Sequence, residues 1–170
     1  MWVGTRRGRL FISRNADAEP ASGVAYTRLD TPAQPRRYPS GIAVDPNDPN
    51  HAFVSFSGYD AYTPATPGHV FEVRANPATG TATWTNLSHD LGDQPITDIA
   101  YDARLGDLYV STDFGVSRLV RGTTSWVPAA DGLPPVAVYQ LQLVDNGSDR
   151  LLYAATHGRG AWRIELPRKG

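Results

Sequence analysis

The stretch Leu108-Tyr-Val-Ser-Thr-Asp-Phe-Gly-Val-Ser-Arg-Leu-Val120 reads as a strand, a tight turn and a second strand. Apolar and small residues fall on either side of a polar turn that carries a glycine, the pattern of a β-hairpin. The pattern returns near the end as Leu152-Tyr-Ala-Ala-Thr-His-Gly-Arg-Gly-Ala-Trp-Arg-Ile164 and near the start as Trp2-Val-Gly-Thr-Arg-Arg-Gly-Arg-Leu-Phe-Ile12. Thr112 and Thr156 stand 44 residues apart, a spacing shared by architectures that repeat one four-stranded unit.

A second marker gives a similar period. Trp84-Thr-Asn-Leu87 leads through Leu91 and Pro95 to Ile99, and Trp126-Val-Pro-Ala129 leads through Leu133 and Pro135 to Leu141. Each tryptophan precedes its aliphatic by 15 residues, and the two tryptophans are 42 apart. Tyr26 and Ile42 hold the equivalent places at a distance of 16. The second unit is stretched by Ser57–Gly68, where the other copies have tight turns.

Working outward, the remaining runs fill in the repeat. Trp2–Thr5 and Arg9–Ile12 form a first hairpin whose turn needs the positive φ that Gly8 supplies. Tyr26–Leu29 closes that partial unit, and a Pro- and Arg-rich connector follows over Asp30–Pro39. Strands are expected at Gly41–Asp45, Ala52–Phe56, His69–Arg74 and Thr81–Leu87, then at Ile96–Tyr101, the central hairpin and Ser125–Pro128. Val138–Val144, Leu151–Thr156 and Gly160–Leu166 complete the set, with a tail at Pro167–Gly170. Asp45-Pro-Asn-Asp-Pro-Asn50, Asn76-Pro-Ala-Thr-Gly80 and Asp145-Asn-Gly-Ser148 are turn signals. No segment shows a helical period.

The fold expectation is therefore all-β: a partial β-propeller of about three and a half four-stranded antiparallel blades. The whole of 1–170 is read as one propeller segment, with blades at 1–30 (partial), 40–88, 96–129 and 137–166 (partial). The first unit lacks its inner strand and the last its outer one. Open ends expose strand edges, so the expected partners include the remaining blades of a longer, seven-bladed propeller. The alternative is a second copy, whose strands added to these would suffice for seven blades.

Composition bounds the function. With 16 glycines, 14 prolines and 19% charged residues the chain suits turn-dense β structure. A net charge of -1 implies no general attraction to nucleic acid. No apolar run is long enough to span a membrane. The absence of cysteine excludes disulfides and thiolate metal sites. Neither the histidines nor the turn aspartates show the spacing of a metal site, and no cofactor motif is present; no cofactor or metal is expected.

Three segments resemble the bacterial neuraminidase-type (BNR) repeats of the sialidase, sortilin and xyloglucanase-like propeller group. They are Leu108–Val116, Trp84-Thr-Asn-Leu-Ser-His-Asp-Leu91 followed by Pro95-Ile-Thr-Asp-Ile-Ala100, and Ala155–Ile164. The resemblance covers nearly the whole chain. That group includes glycoside hydrolases, receptors, assembly factors and accessory modules of secreted proteins. It thus implies a secreted or periplasmic setting and a binding module, or alternatively part of a xyloglucanase- or sialidase-like hydrolase. The group's Asp box, Ser/Thr-x-Asp-x-Gly-x-x-Trp, is matched in its first half by Ser111-Thr-Asp113-Phe-Gly115; Arg118 stands where the Trp would be. Asp113 also lies in a hairpin similar to the one that carries a catalytic Asp in the xyloglucanases, which makes it the weak catalytic candidate.

Meander geometry sorts the loops. Turns between the second and third strands, and links to the next blade, share one end. That end collects Arg6, Arg7, Arg36, Arg37, Tyr38, Tyr59, Asp60, Tyr62, His89, Asp90, Asp113, Phe114, His157 and Arg159. Among them Arg6, Arg7, Arg36, Arg37, Tyr59, Tyr62, Asp113, His157 and Arg159 form the candidate ligand-binding face. Tyrosine can stack on a sugar, arginine can grip an anion with two donors, and aspartate can accept from hydroxyls. A glycan or a protein is the expected ligand. The opposite end carries Asp45, Asp48, Asp102, Asp107, Asp145 and Asp149, residues that shape turns.

Overall fold

The computed structural model describes residues 1–167; the rest of the expected tail, Arg168–Gly170, lies outside the described residues. The strands form four antiparallel sheets, each a meander in which spatial order follows chain order. Blade 1 holds β1 (Trp2–Gly4), β2 (Leu10–Ile12) and β3 (Thr27–Arg28). Blade 2 holds β4 (Pro39–Val44), β5 (His51–Phe56), β6 (Val70–Asn76) and β7 (Thr81–Asn86). Blade 3 holds β8 (Ile96–Asp102), β9 (Asp107–Thr112), β10 (Gly115–Leu119) and β11 (Trp126–Pro128). Blade 4 holds β12 (Val138–Asp145), β13 (Arg150–Thr156) and β14 (Ala161–Glu165). The inner strands β4, β8 and β12 adjoin in succession, and β1, the first strand present in blade 1, adjoins β4. This is a partial β-propeller. The segments between β2 and β3 and between β5 and β6 each contain one 3-10 turn, Ala21–Gly23 and Asp60–Tyr62.

The blades superimpose residue by residue in their hydrogen bonding. Leu29 N–H donates to the Leu10 carbonyl, Leu87 to Val70 and Ala129 to Val116, at 2.9, 2.8 and 2.9 Å. β3, β7 and β11 are therefore equivalent outer strands. Blade 1 has strands two to four, and blade 4 strands one to three. Each inner strand of blades 2 to 4 also carries a register shift at the same place: Pro39/Gly41, Ile96/Asp98 and Val138/Gln140. Such a bulge bends the strand and turns out one extra residue, here Ser40, Thr97 and Tyr139.

Alternation places apolar side chains on both faces of each blade, and three clusters seal the seams. Leu10, Ile12 and Leu29 meet Val54, Phe56, Phe71 and Val73 between blades 1 and 2. Phe53, Val70 and Leu91 meet Ile96, Ile99, Leu108 and Leu119 between blades 2 and 3. Ala100 and Tyr109 meet Val138, Leu141 and Leu152 between blades 3 and 4. Each fully buried aliphatic or phenyl side chain contributes roughly 1.5–3 kcal/mol. Trp84 and Trp126 pack into the first two seams from the outer strands. Their indole N–H groups donate to the Leu29 and Leu87 carbonyls at 3.1 and 2.9 Å. Close packing also fixes glycines. At Gly8 (φ +75) a Cβ would lie 2.7 Å from the Arg36 backbone. At Gly41 it would meet Asp98 Oδ1 at 2.7 Å.

Candidate binding surface

The topology runs β1, β5, β9 and β13 toward one end of the blades, which we call the upper end. There the Arg6–Gly8 turn, the 57–69 loop, the Asp113-Phe114 turn and the 157–160 turn come together with the interblade links. Arg6, Arg7, Arg36, Tyr59, Asp113, His157 and Arg159 are exposed on this end. Tyr62 and Phe114 are the most exposed large hydrophobic side chains among the described residues, at 75% and 74%. Tyr38, which precedes β4, and Tyr139, turned out by the β12 bulge, are exposed as well. The Tyr139 ring lies against His157 with centroids 5.5 Å apart. Trp162, near the start of β14, is also exposed and donates to the Arg159 carbonyl at 3.0 Å. Of the exposed aromatic residues, Tyr26 alone lies toward the other end.

Arg37 departs from its neighbours. It is buried, and its guanidinium donates to the Gly58 carbonyl (2.8 Å), to Asp60 Oδ1 (2.9 Å) and to the Gly68 carbonyl. It therefore supports the 57–68 loop from beneath and does not reach the surface. Burial lowers its affinity for the proton, against the opposing pull of Asp60 and Asp93. Asp60 is drawn into the same network, since its Oδ1 also accepts from Gly68 N–H at 2.9 Å.

Two residues that the sequence did not single out complete this network. His69, 1% exposed, places Nδ1 at 3.3 Å from Arg37 Nη1 and Nε2 at 3.1 Å from Asp93 Oδ1. Asp93 in turn accepts from Asp60 N–H at 2.8 Å. Arginine can only donate, so Nδ1 is the acceptor and the ring proton sits on Nε2, aimed at Asp93. Burial and then the Arg37 charge push the His69 pKa down, so the ring is held neutral. Asp60, His69 and Asp93 bring one ligand atom each within 4.8 Å of one another. A metal at Nε2 would nevertheless require an imidazolate while Arg37 donates to Nδ1. The arrangement is a hydrogen-bonded strut beneath the loop.

Asp113 sits on the tight turn of blade 3 and makes no side-chain hydrogen bond or ion pair among the described residues. The turn is fixed instead by Phe114 N–H donating to Thr112 Oγ1 at 3.0 Å. Asp90, also at this end, accepts from Trp126 N–H at 2.8 Å, and that bond leads the effects that lower its pKa. No helix among the described residues is long and apolar enough to cross a membrane.

No protein-family model matches the chain, and no curated protein matches it in sequence. Solved structures do resemble it. A gluconolactonase from Xanthomonas campestris matches with a TM-score of 0.54 and 18% identity, over 98% of this chain and 56% of that one. The extracellular domain of a hybrid two component system from B. thetaiotaomicron matches with a TM-score of 0.59 and 16% identity, over 98% of this chain and 20% of that one. The chain thus spans about half the length of the first and a fifth of the second. At these identities the likeness is one of fold, and it is propeller-like.

Proposed function

We propose that the chain is a non-catalytic propeller module of a secreted or periplasmic protein, akin to BNR-type modules, that binds a glycan or protein ligand at its upper end. The observation that carries this reading is the segregation of exposed aromatic side chains, with Tyr38, Tyr59, Tyr62, Phe114 and Tyr139 all on that end. Rings left in water at a shared face cost hydrophobic free energy that a ligand recovers. Arg6, Arg7, Arg36, Asp113 and Arg159 stand exposed at the same end, free to meet hydroxyls and anions. Flat rings among short-range polar groups suit a sugar face, which favours a glycan. Titration calorimetry against a panel of neutral and acidic oligosaccharides tests this. Tyr62→Ala and Phe114→Ala should each weaken binding about tenfold or more while leaving the unfolding free energy from urea titration within about 0.5 kcal/mol of the parent. Unchanged affinity in both variants removes the proposal.

The hydrolase alternative rests on Asp113, an exposed carboxylate without a side-chain partner on the turn that the xyloglucanase resemblance marks. Glycoside hydrolysis takes a second carboxyl group across the scissile bond, roughly 5–9.5 Å from the first, so this reading needs such a partner beside Asp113. Turnover of xyloglucan or sialyl-lactose that is lost in Asp113→Asn would replace the binding reading with the catalytic one.

A further inference from the structure

A cleft of about 470 Å³ opens toward the lower end between blades 2 and 3, the two blades that hold four strands each. Small-molecule sites run roughly from 300 to 1,000 Å³, so the space suffices for a ligand. Part of its lining is aromatic. The Phe53 ring stands 4.7 Å from that of His51 and 4.6 Å from that of Tyr101, centroid to centroid. Leu87, Leu108 and Leu119 add aliphatic surface. The charged part of the lining is Asp45, His51, Glu72, Arg74 and Arg121. His51, 3% exposed, points one ring nitrogen at Asp45 Oδ2 and the other at Glu72 Oε1, each at 2.9 Å. Arg74 Nη2 donates to the same Glu72 oxygen at 2.8 Å. Asp45 Oδ1 accepts from Asn47 N–H at 2.9 Å. Both carboxylates are therefore engaged within the fold.

Two polar side chains of the lining have no partner. The Arg121 backbone N–H donates to Asp107 at 2.8 Å, but the guanidinium makes no hydrogen bond or ion pair among the described residues. Its stem lies across Gly106, where a Cβ would come within 2.6 Å of Arg121 Cδ. The Tyr101 hydroxyl likewise makes no hydrogen bond among the described residues. Burial first, and then the Asp45 charge, push its pKa up against the pull of Arg121 and Arg74. The hydroxyl thus keeps its proton and can donate, and a guanidinium can only donate. What both groups lack is an acceptor. We propose that this cleft binds a small organic carboxylate with a flat apolar body, at a site separate from the upper end. The carboxylate lies between Arg121 and Tyr101, and the body rests on Phe53 toward Leu87 and Leu119. A guanidinium fork matches the two oxygens of a carboxylate. One unpaired cation flanked by Asp45 and Glu72 suits a single negative charge; a dianion such as phosphate would face those two carboxylates without a second unpaired cation.

The probes are benzoate and phenylacetate, with benzamide and phenylacetamide as their uncharged counterparts, each titrated into the full chain and followed by NMR. The expected result is saturable binding of both acids, with each amide weaker by about tenfold or more, as for the loss of a hydrogen-bonded charge pair. Arg121→Gln should weaken the acids by a similar factor, and Tyr101→Phe by less, since it removes one hydroxyl. Arg121 is exposed, so its variant should unfold in urea as the parent does. A second measurement locates the ligand in the unaltered chain: NOEs from its ring protons to the methyl groups of Leu87, Leu108 and Leu119. Failure of both acids to saturate overturns the proposal, as do equal affinities for acids and amides, or NOEs to methyl groups outside the cleft. Displacement of benzoate by inorganic phosphate at equal concentration also overturns it, because the site would then select a denser charge.

Discussion

The two ends of the blades carry similar kinds of charge, and apart from the buried Arg37–Asp60–His69–Asp93 network of the upper end they treat them differently. At the lower end the turn aspartates are consumed by the fold. His51 bridges Asp45 and Glu72, at 2.9 Å on each ring nitrogen. Asp107 pairs with Arg118 and accepts from Arg121 N–H at 2.8 Å. Asp145 holds Arg104 at 2.7 Å and Arg150 at 3.2 Å, while Asp102 takes the other face of Arg150. Hydrogen-bonding to its neighbours holds the Asp145 carboxyl below its usual range in spite of the desolvation that opposes it. At the upper end Arg6, Arg7, Arg36, Asp113 and Arg159 make no ion pair among the described residues, and the aromatic rings between them face water. The two ends therefore differ in how their outermost polar groups are partnered, and the number of those groups says little.

The largest test of this contrast is Arg150→Ala. Arg150 and Asp102 are each 2% exposed and join blade 4 to blade 3. Removing one member leaves a buried charge without compensation, which costs about 3–5 kcal/mol. The matched upper-end change, Arg36→Ala, removes an exposed and unpaired side chain and should cost less than about 0.5 kcal/mol. Urea unfolding of both variants measures the difference. The Asp102→Ala/Arg150→Ala pair should cost less than the two single changes added together, because neither charge is then stranded. Comparable losses from Arg150→Ala and Arg36→Ala would erase the distinction between the ends.

A smaller effect sharpens the comparison by probing the apolar seam that runs between the ends. Trp126→Phe keeps an aromatic ring beside Leu119 and removes the indole N–H that donates to Leu87. The loss should be about 1 kcal/mol, the net worth of one such bond. In the same urea series it should fall well short of Arg150→Ala. A Trp126→Phe loss that equals the Arg150→Ala loss would move the main stitching from the lower-end ion pairs to the seam.

Much of this was legible in the sequence because a propeller writes its geometry as spacing. The tryptophans, 42 residues apart, mark equivalent outer strands since each must fill the same wedge between blades. The strand-turn-strand copies mark the hairpins because side chains alternate across a sheet with two neighbours. The fates of individual arginines were not legible. Arg36 and Arg37 are adjacent and alike in sequence, yet one is exposed and the other buried. The choice is made by carbonyls of Gly58 and Gly68 and by Asp60, on a loop whose path no local pattern specifies. His69 and Asp93 escaped for the same reason: one begins a strand, the other sits in a link, and only the folded loop brings them together. The exposure of Tyr139 depends on the β12 bulge, which a propensity reading does not reveal.

The smallest effect is the most informative about the upper end. His69 is held neutral by burial and by Arg37, with Asp60 and Asp93 pulling the other way, and the net result is a folded pKa below 6.5. Above that value both folded and unfolded chains carry a neutral ring, and the group contributes no pH dependence. Below it the unfolded chain takes up a proton that the folded chain refuses, so stability declines as pH falls from 6.5 toward the folded pKa. Asp30, Asp45, Asp90 and Asp145, whose pKa values lie below the ordinary 3.8, weaken the fold only at still lower pH, whereas Asp98, which burial pushes up, acts with the opposite sign and adds stability as pH falls. His69→Gln should flatten the stability profile within that window. In the parent, amide protection across Gly58–Gly68, taken relative to the intrinsic exchange rate at each pH, should fall as the window is crossed, because a protonated Nδ1 can no longer accept from Arg37 and the strut opens. If the protection of that loop is the same on both sides of the window, the network does not hold it, and the upper end owes its shape to packing alone.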